Sequence, residues 1–170
     1  MNAITNKDEI ISFLRGLSKD YKGRSYDDLV NQNDIDMEKC HDAIQHMFCL
    51  HEFSRYAHTC PIISPEIVNE AVQYQDVIDN ILKAKERMEK FLAIGKYEDR
   101  DKQRKWCRNY NHNLLRVTRV IRCLRLFGLK EAALDFYEKV KPVGEHFGIS
   151  DFTLRKWDSA YTDDVWNTLQ

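Results

Sequence analysis

Two short stretches hold polar and ionisable side chains at spacings that could do chemistry. In NHNLLRVTRVIRCLRLFG, which reads as a helix from about Tyr110 to Phe127, His112, Arg116, Arg119 and Cys123 recur at intervals of three or four and share one stripe. Apolar residues flank that stripe on both sides: Val117, Val120, Ile121 and Leu124 on one, Leu115 and Leu126 on the other. Thr118, Arg122 and Arg125 are left to face water. Guanidinium groups bordered in this way are expected to be partly buried, and a buried cation needs a carboxylate, a phosphate or several carbonyls around it.

The stretch DIDMEKCHDAIQHMFCL offers the counterpart. Read as one helix from Asp34 or Asp36 to about Leu50, it has a core face of Met37, Cys40, Ala43, Ile44, Met47 and Phe48. His41 and Gln45 lie one turn apart on its edge, with Glu38 and Asp42 beyond. If the two helices meet, they enclose a small polar site suited to an anion or an amide. Three uses remain open. Asp42 or Glu38 pairs with Arg116 or Arg119 and only fixes the packing of a protein–protein interaction domain; the site binds an anionic small molecule such as a nucleotide; or His41 and His112 act on a phosphate ester as a hydrolase or nuclease. The third is the least specified, since a histidine and a carboxylate without a nucleophile or metal define no reaction and no residue can be assigned as catalytic.

Other constellations are weaker. His41, His46, His51, His58 and Cys60 crowd into twenty residues, but His41 and His46 point apart on one helix, and no second pair accompanies His58 and Cys60 at ligand spacing, so no metal is implied. Cys107 and Cys123 have basic neighbours that could lower a thiol pKa. No glycine-rich phosphate loop, nucleophile elbow or zinc-protease motif occurs, and no cofactor is implied. Residues 100–130 contain ten Lys or Arg and one acid, a net +9 in a chain whose total is −1, so a local anion site is compatible with a neutral whole. Within it, Arg100 to Tyr110, interleaved with Trp106, has the makings of a phosphate-and-stacking strip for nucleic acid. Trp157, Tyr161 and Trp166 either dock a terminal helix or, if exposed, mark a partner or homodimer surface.

The elements that must position these residues read as helices almost throughout. Asn6 with Glu9 forms a capping-box pattern ahead of Ile10, Ile11, Phe13, Leu14 and Leu17. Gly23 turns a loop before a short helix from Tyr26 to Val30. The segment 51–64 is irregular and packs over the core. Ser64-Pro65-Glu66 starts a helix, and Val77, Ile78, Ile81, Leu82, Met88 and Phe91 give the next its apolar face. Residues 95–105 read as a solvated connector. Gly128-Leu129 ends the strip-bearing helix, another runs from Lys130 until Pro142 ends or kinks it, and short helices close the chain around Phe152 and Val165. With 170 residues, 43% hydrophobic and 31% charged, six Gly and three Pro, the expectation is one all-α domain over residues 1–170. No apolar run approaches the length of a membrane span, the first twenty residues lack a signal-peptide pattern, and five cysteines without a C-x-x-C suit the cytoplasm.

The two polar stretches also carry a resemblance. EKCHDAIQHMFCL resembles the hallmark L-E-x-x-H-x-Y-I-Q-W-L-F-P of the opioid growth factor receptor family, and NHNLLRVTRVIRCLRLFGLKEAALDF is similar to that family's N-H-N-x-L-R-I-T-R-I-L followed by a G-L turn. D-x-x-G-R-S at Asp20 to Ser25, a turn at Pro61 and the Met88–Phe91 pair agree, so the resemblance covers about residues 13–136 and leaves 137–170 as a C-terminal helical extension. It carries over Glu38, His41, Ile44, Gln45 and Phe48 from the first motif, and Asn111, His112, Asn113, Leu115, Arg116, Thr118 and Arg119 from the second. Where the family has Tyr, Trp, Leu and Pro, this chain has Ala43, His46, Met47 and Cys49, which reshapes the groove beside the strip. The resemblance implies a helical domain; with the polar stripes it leads to the expectation of a non-enzymatic binding domain whose candidate ligand-binding set is His41, Asp42, Gln45, Asn111, His112, Asn113, Arg116 and Arg119. For the animal receptor it implies recognition of an opioid peptide; a bare domain of this length looks more like bacterial or bacteriophage members.

Overall fold

A computed structural model describes residues 3–55 and 58–167. Among these residues the architecture is all helical, with isolated bridges and no sheet. No helix among them is long and apolar enough to cross a membrane. The chain divides into two compact units, Met1–Ala84 and Lys85–Gln170.

The first unit opens with α1 (Lys7–Leu14), whose N-cap Asn6 accepts the Glu9 amide through its side chain. Ser25 and Asp28 form a reciprocal capping box on α2 (Tyr26–Val30). The helix expected from Asp34 to Leu50 is instead two, α3 (Asp34–Lys39) and α4 (His41–Met47), and the cap of α3 is Asn33 rather than Asp34 or Asp36. The break lies at Cys40, whose ψ of 84° leaves the helical range. Arg24, from the preceding loop, reaches both Cys40 Sγ and the Asp42 carboxylate across it. A tertiary contact therefore decides where the helix divides. Most of the expected core face survives, with Met37, Ala43, Ile44, Met47 and Phe48 buried and Cys40 half-buried.

In the stretch that follows, isolated parallel bridges join Leu50 with Ile62 and Ile4 with Pro61. Cys60 and Ile63 are buried and Phe53 is exposed, while residues 56–57 of the segment expected to pack over the core lie outside the described residues. Ser64 then caps α5 (Pro65–Ala71), with Pro65 in its first turn. Helix α6 (Gln75–Leu92) begins in this unit, where its Asn80 amide donates to the Leu14 carbonyl and Asp76 takes a hydrogen bond from Arg15. Leu17, counted with the apolar face of α1, is exposed because the helix has already ended at Leu14.

The second unit takes up α6 at Lys85. Residues 95–105 are not a connector: a 3-10 turn (Gly95–Tyr97) leads into α7 (Arg100–Trp106), capped by Asp99. The reason is the unsatisfied carbonyls at the end of α6. Gln103 Nε2 donates to Ala93 O at 2.6 Å and Trp106 Nε1 to Leu92 O at 2.8 Å, both from side chains buried to do so. Helix α8 (Asn113–Leu126) starts three residues later than the expected Tyr110, which instead takes a left-handed conformation (φ 68°). It ends as the sequence indicates: Gly128, at φ 74°, donates to Arg125 O and Leu129 to Leu124 O, a Schellman closure.

Helix α9 (Lys130–His146) continues through Pro142 rather than ending there. One missing N–H is outweighed by the apolar face on either side of it, with Phe136, Val140 and Val143 all buried. Helix α10 (Asp151–Thr162) is a single helix, and Val165 lies in a turn beyond it. α8, α9 and α10 pack on one another. That packing corrects the expected water-facing stripe of α8: Arg122 is buried, and Arg125 Nη1 donates to Ala160 O on α10. Trp157 is the docking residue of α10, fully buried with its Nε1 on Leu114 O. Tyr161 stacks on Tyr137 of α9.

Candidate functional site

The turn before α8 and its first residues form a hydrogen-bonded chain. Asn111 Oδ1 accepts the Asn113 amide at 2.9 Å, and Asn113 Oδ1 accepts Arg116 Nη1 at 3.1 Å. Asn113 is fully buried, and Arg116 is 6% exposed with its guanidinium carbon 5.9 Å from the centre of the Phe91 ring. His112 and Arg119 on either side are half-buried. The placement runs against helix electrostatics. The first turn of α8 contains no acid, and Arg116 sits in it although a helix N-terminus carries partial positive charge. The Asn113 side chain orients the guanidinium through this hydrogen bond. A phosphate or carboxylate reaching this end of α8 would meet a planar fork of N–H donors and the favourable end of the dipole together.

His41, Asp42 and Gln45 are in the first unit and have their own local surroundings. Asp42 accepts hydrogen bonds from Tyr21 OH (2.7 Å) and Arg24 Nη2 (2.9 Å) and lies 3.3 Å from Lys22 Nζ. Arg24 in turn holds Asp20, whose side chain is fully buried and also accepts the Lys22 and Arg24 amides. Burial alone would raise the Asp42 carboxyl; the hydrogen bonds from Arg24 and Tyr21 and the Arg24 charge overcome it and hold the group well below the usual carboxylate range. Asp42 is thus a structural anchor for the loop Asp20–Ser25. Gln45 Oε1 accepts the Cys60 thiol at 3.2 Å, and His41 is exposed at the start of α4. The angular relation drawn from Met37 to His41 and Gln45 does not hold, since the break at Cys40 intervenes.

The histidine that the structure buries is His46, which the sequence offered only as a poor metal ligand. Its ring lies between Phe13, edge-on at 5.9 Å, and Tyr21, stacked at 5.9 Å. Nδ1 is 2.8 Å from the Asp42 carbonyl, which can only accept, so Nδ1 carries the proton. Nε2 is buried and has no hydrogen-bond partner among the described residues. Burial lowers the His46 pKa below the ordinary 6.5, against the opposing pull of the Asp42 carbonyl and the Asp20 and Asp42 charges. As pH falls through 6.5 the unfolded chain takes up a proton that the folded one refuses, so stability must fall with it. The loss begins near pH 6.5 and ends once the folded chain also takes up the proton. Urea unfolding between pH 7.5 and 5 will show this loss in the wild type and a flatter profile in His46→Gln.

Cys107 also departs from expectation. Its basic neighbours do not activate it: burial pushes the thiol up to about 12, and Sγ donates to Val143 O. Among the described residues no three His, Cys, Asp or Glu side chains gather to hold a metal. Of the aromatics in the Arg100–Tyr110 strip, Trp106 is buried against α6, which leaves Tyr110 fully exposed at its end. The connected strip Asn111–Asn113–Arg116, with His112 and Arg119 beside it, is the candidate site.

The family model of the opioid growth factor receptor (OGFr) conserved region matches residues 13–138, so both polar stretches lie inside it. Comparison with curated proteins and with solved structures returns no match.

Proposed function

Because the chain belongs to the opioid growth factor receptor conserved-region family, we propose that it is a binding domain whose site is the start of α8. Its ligand class is a small anion with a phosphate or carboxylate group, a nucleotide being the leading case. The observation that carries this reading is the gathering of donors at one helix start: Arg116, 6% exposed in the first turn of α8 and held by the buried Asn113 side chain, with Arg119 one turn on and His112 beside it. Asn111 and Asn113 fix the geometry, Arg116 and Arg119 supply charge, and His112 supplies a donor whose strength rises on protonation. Phe91 offers an apolar wall beside the guanidinium.

Thermal unfolding of the purified chain with inorganic phosphate, nucleoside phosphates and cyclic dinucleotides tests the reading. A ligand at a hundredfold excess over its Kd adds about 2.7 kcal/mol of stability, a shift of several degrees. A saturable shift is expected for at least one phosphate-bearing ligand, reduced at least tenfold in apparent affinity by Arg119→Gln, with the ligand recovered intact. No shift with any of them, or equal shifts in wild type and Arg119→Gln, overturns it. Recovery of a hydrolysed ligand replaces binding by catalysis.

A further inference from the structure

A second surface of the Lys85–Gln170 unit has a different character. Tyr110 is fully exposed and occupies a left-handed backbone conformation, φ 68°, that a non-glycine residue adopts only at a cost. The preceding residue ties this turn to the start of α10, where Asn109 Oδ1 accepts the Ser150 amide at 2.9 Å. Two residues beyond Ser150 stands Phe152, 71% exposed in the first turn of α10. The tie therefore brings two exposed aromatics to one region of the surface.

The charge around them has one dominant sign. On α10, Phe152, Arg155 and Lys156 are at i, i+3 and i+4 and form one exposed face, opposite the buried Trp157. Lys156 Nζ lies 5.3 Å from the Phe152 ring centre. On the turn, Arg108 is exposed two residues before Tyr110, and Lys105 is exposed on the last turn of α7. Asp151 is the single acid between Ser150 and Lys156. Aromatic faces set among cations repel a basic partner and gain little from a purely apolar one. A flexible polyanion carrying its own flat rings satisfies both components, its bases stacking on the aromatics while its phosphates meet the cations. A duplex, whose bases are already stacked, can use only the charges.

We propose that Tyr110 and Phe152, framed by Arg108, Arg155 and Lys156, form a stacking platform for single-stranded nucleic acid. The platform is distinct from the strip at the start of α8 and uses none of its side chains.

Fluorescence anisotropy of the intact chain with a labelled ten-nucleotide oligothymidylate, and with a ten-base-pair duplex, tests it at 20–200 mM salt. The single strand is expected to bind and the duplex to bind at least tenfold more weakly. Three phosphate contacts give a slope of log affinity against log salt of about −2. Tyr110→Ala and Phe152→Ala should each weaken binding about tenfold or more while Tyr110→Phe keeps it. Both aromatics are exposed, so unfolding midpoints of the variants should match the wild type. Absence of binding at 20 mM salt, equal binding of the duplex, or full binding by the Tyr110→Ala/Phe152→Ala pair each overturns the proposal. Self-association in sedimentation that the same pair abolishes, without oligonucleotide binding, assigns the face to a second copy of the chain instead.

Discussion

Arg24→Ala is expected to lower the unfolding free energy by about 3–5 kcal/mol, measured by urea unfolding at pH 7. The size follows from what the substitution leaves behind. Asp20 and Asp42 have side chains 0% and 13% exposed, and Arg24 bridges them at 2.7 and 2.9 Å. Removing the cation abandons two carboxylates out of water, which is far worse than losing an exposed ion pair. The same guanidinium reaches Cys40 at the break between α3 and α4, so its loss also frees the helix division. Arg24→Lys should fall between wild type and alanine: an ammonium keeps the charge but cannot present two parallel N–H groups to one carboxylate and a third to another. The acid limb provides an independent check. Burial would raise the Asp20 and Asp42 carboxyls, but hydrogen bonds from Arg24 lower both below 3.8, so the stability they contribute is present above that pH and lost as pH falls below it. That loss should shrink in Arg24→Ala and be separate from the His46 limb, which begins near pH 6.5.

The features legible in the sequence were those decided within a few residues. Asn6 with Glu9, Ser64 with Pro65, and Gly128 with Leu129 are complete local instructions, and each terminus lies where its cap places it. The Tyr26–Val30 helix was legible for the same reason. What the sequence concealed was decided by distant groups. The division at Cys40 depends on Arg24, sixteen residues away. α7 looks like solvated chain until its Gln103 and Trp106 are seen to serve the carbonyls ending α6. Arg122 and Arg125 fall on the polar side of the α8 pattern, yet Arg122 is buried and Arg125 donates to Ala160 O of α10, and nothing local in α8 announces either. Within the site, periodicity correctly marked Arg116 as a cation among apolar neighbours. The hydrogen bond from Arg116 to Asn113 follows from the i,i+3 spacing and could have been anticipated. His46 was harder to find, because its burial arises from Phe13 and Tyr21 on other elements.

Trp157→Ala is expected to cost about 3–5 kcal/mol, the range for emptying a large aromatic from a core. Trp157 has no exposed surface and donates its indole N–H to Leu114 O, so the cavity opens where α10 meets α8. The other wall of that pocket is Gly144 of α9, where an added Cβ would lie 2.6 Å from Trp157 Cζ3 and 3.0 Å from Leu154 Cδ2. A glycine in a helix interior normally weakens it by about 0.5–1 kcal/mol. Here the missing Cβ is what admits the indole. Gly144→Ala should therefore destabilise despite its better helix propensity, and pairing it with Trp157→Phe should recover part of the loss, since the smaller ring vacates the clash. A double-mutant cycle would read this as a favourable coupling of about 0.5–3 kcal/mol, and strictly additive costs would show that the indole is not what excludes a side chain at 144. The consequence extends to function. Trp157 fixes the buried face of α10, and Phe152, Arg155 and Lys156 lie on the face opposite, so Trp157→Ala should weaken single-stranded nucleic acid binding without touching a residue of the platform. Trp157→Phe, which keeps the helix docked, should leave that binding within a factor of about two to three of wild type.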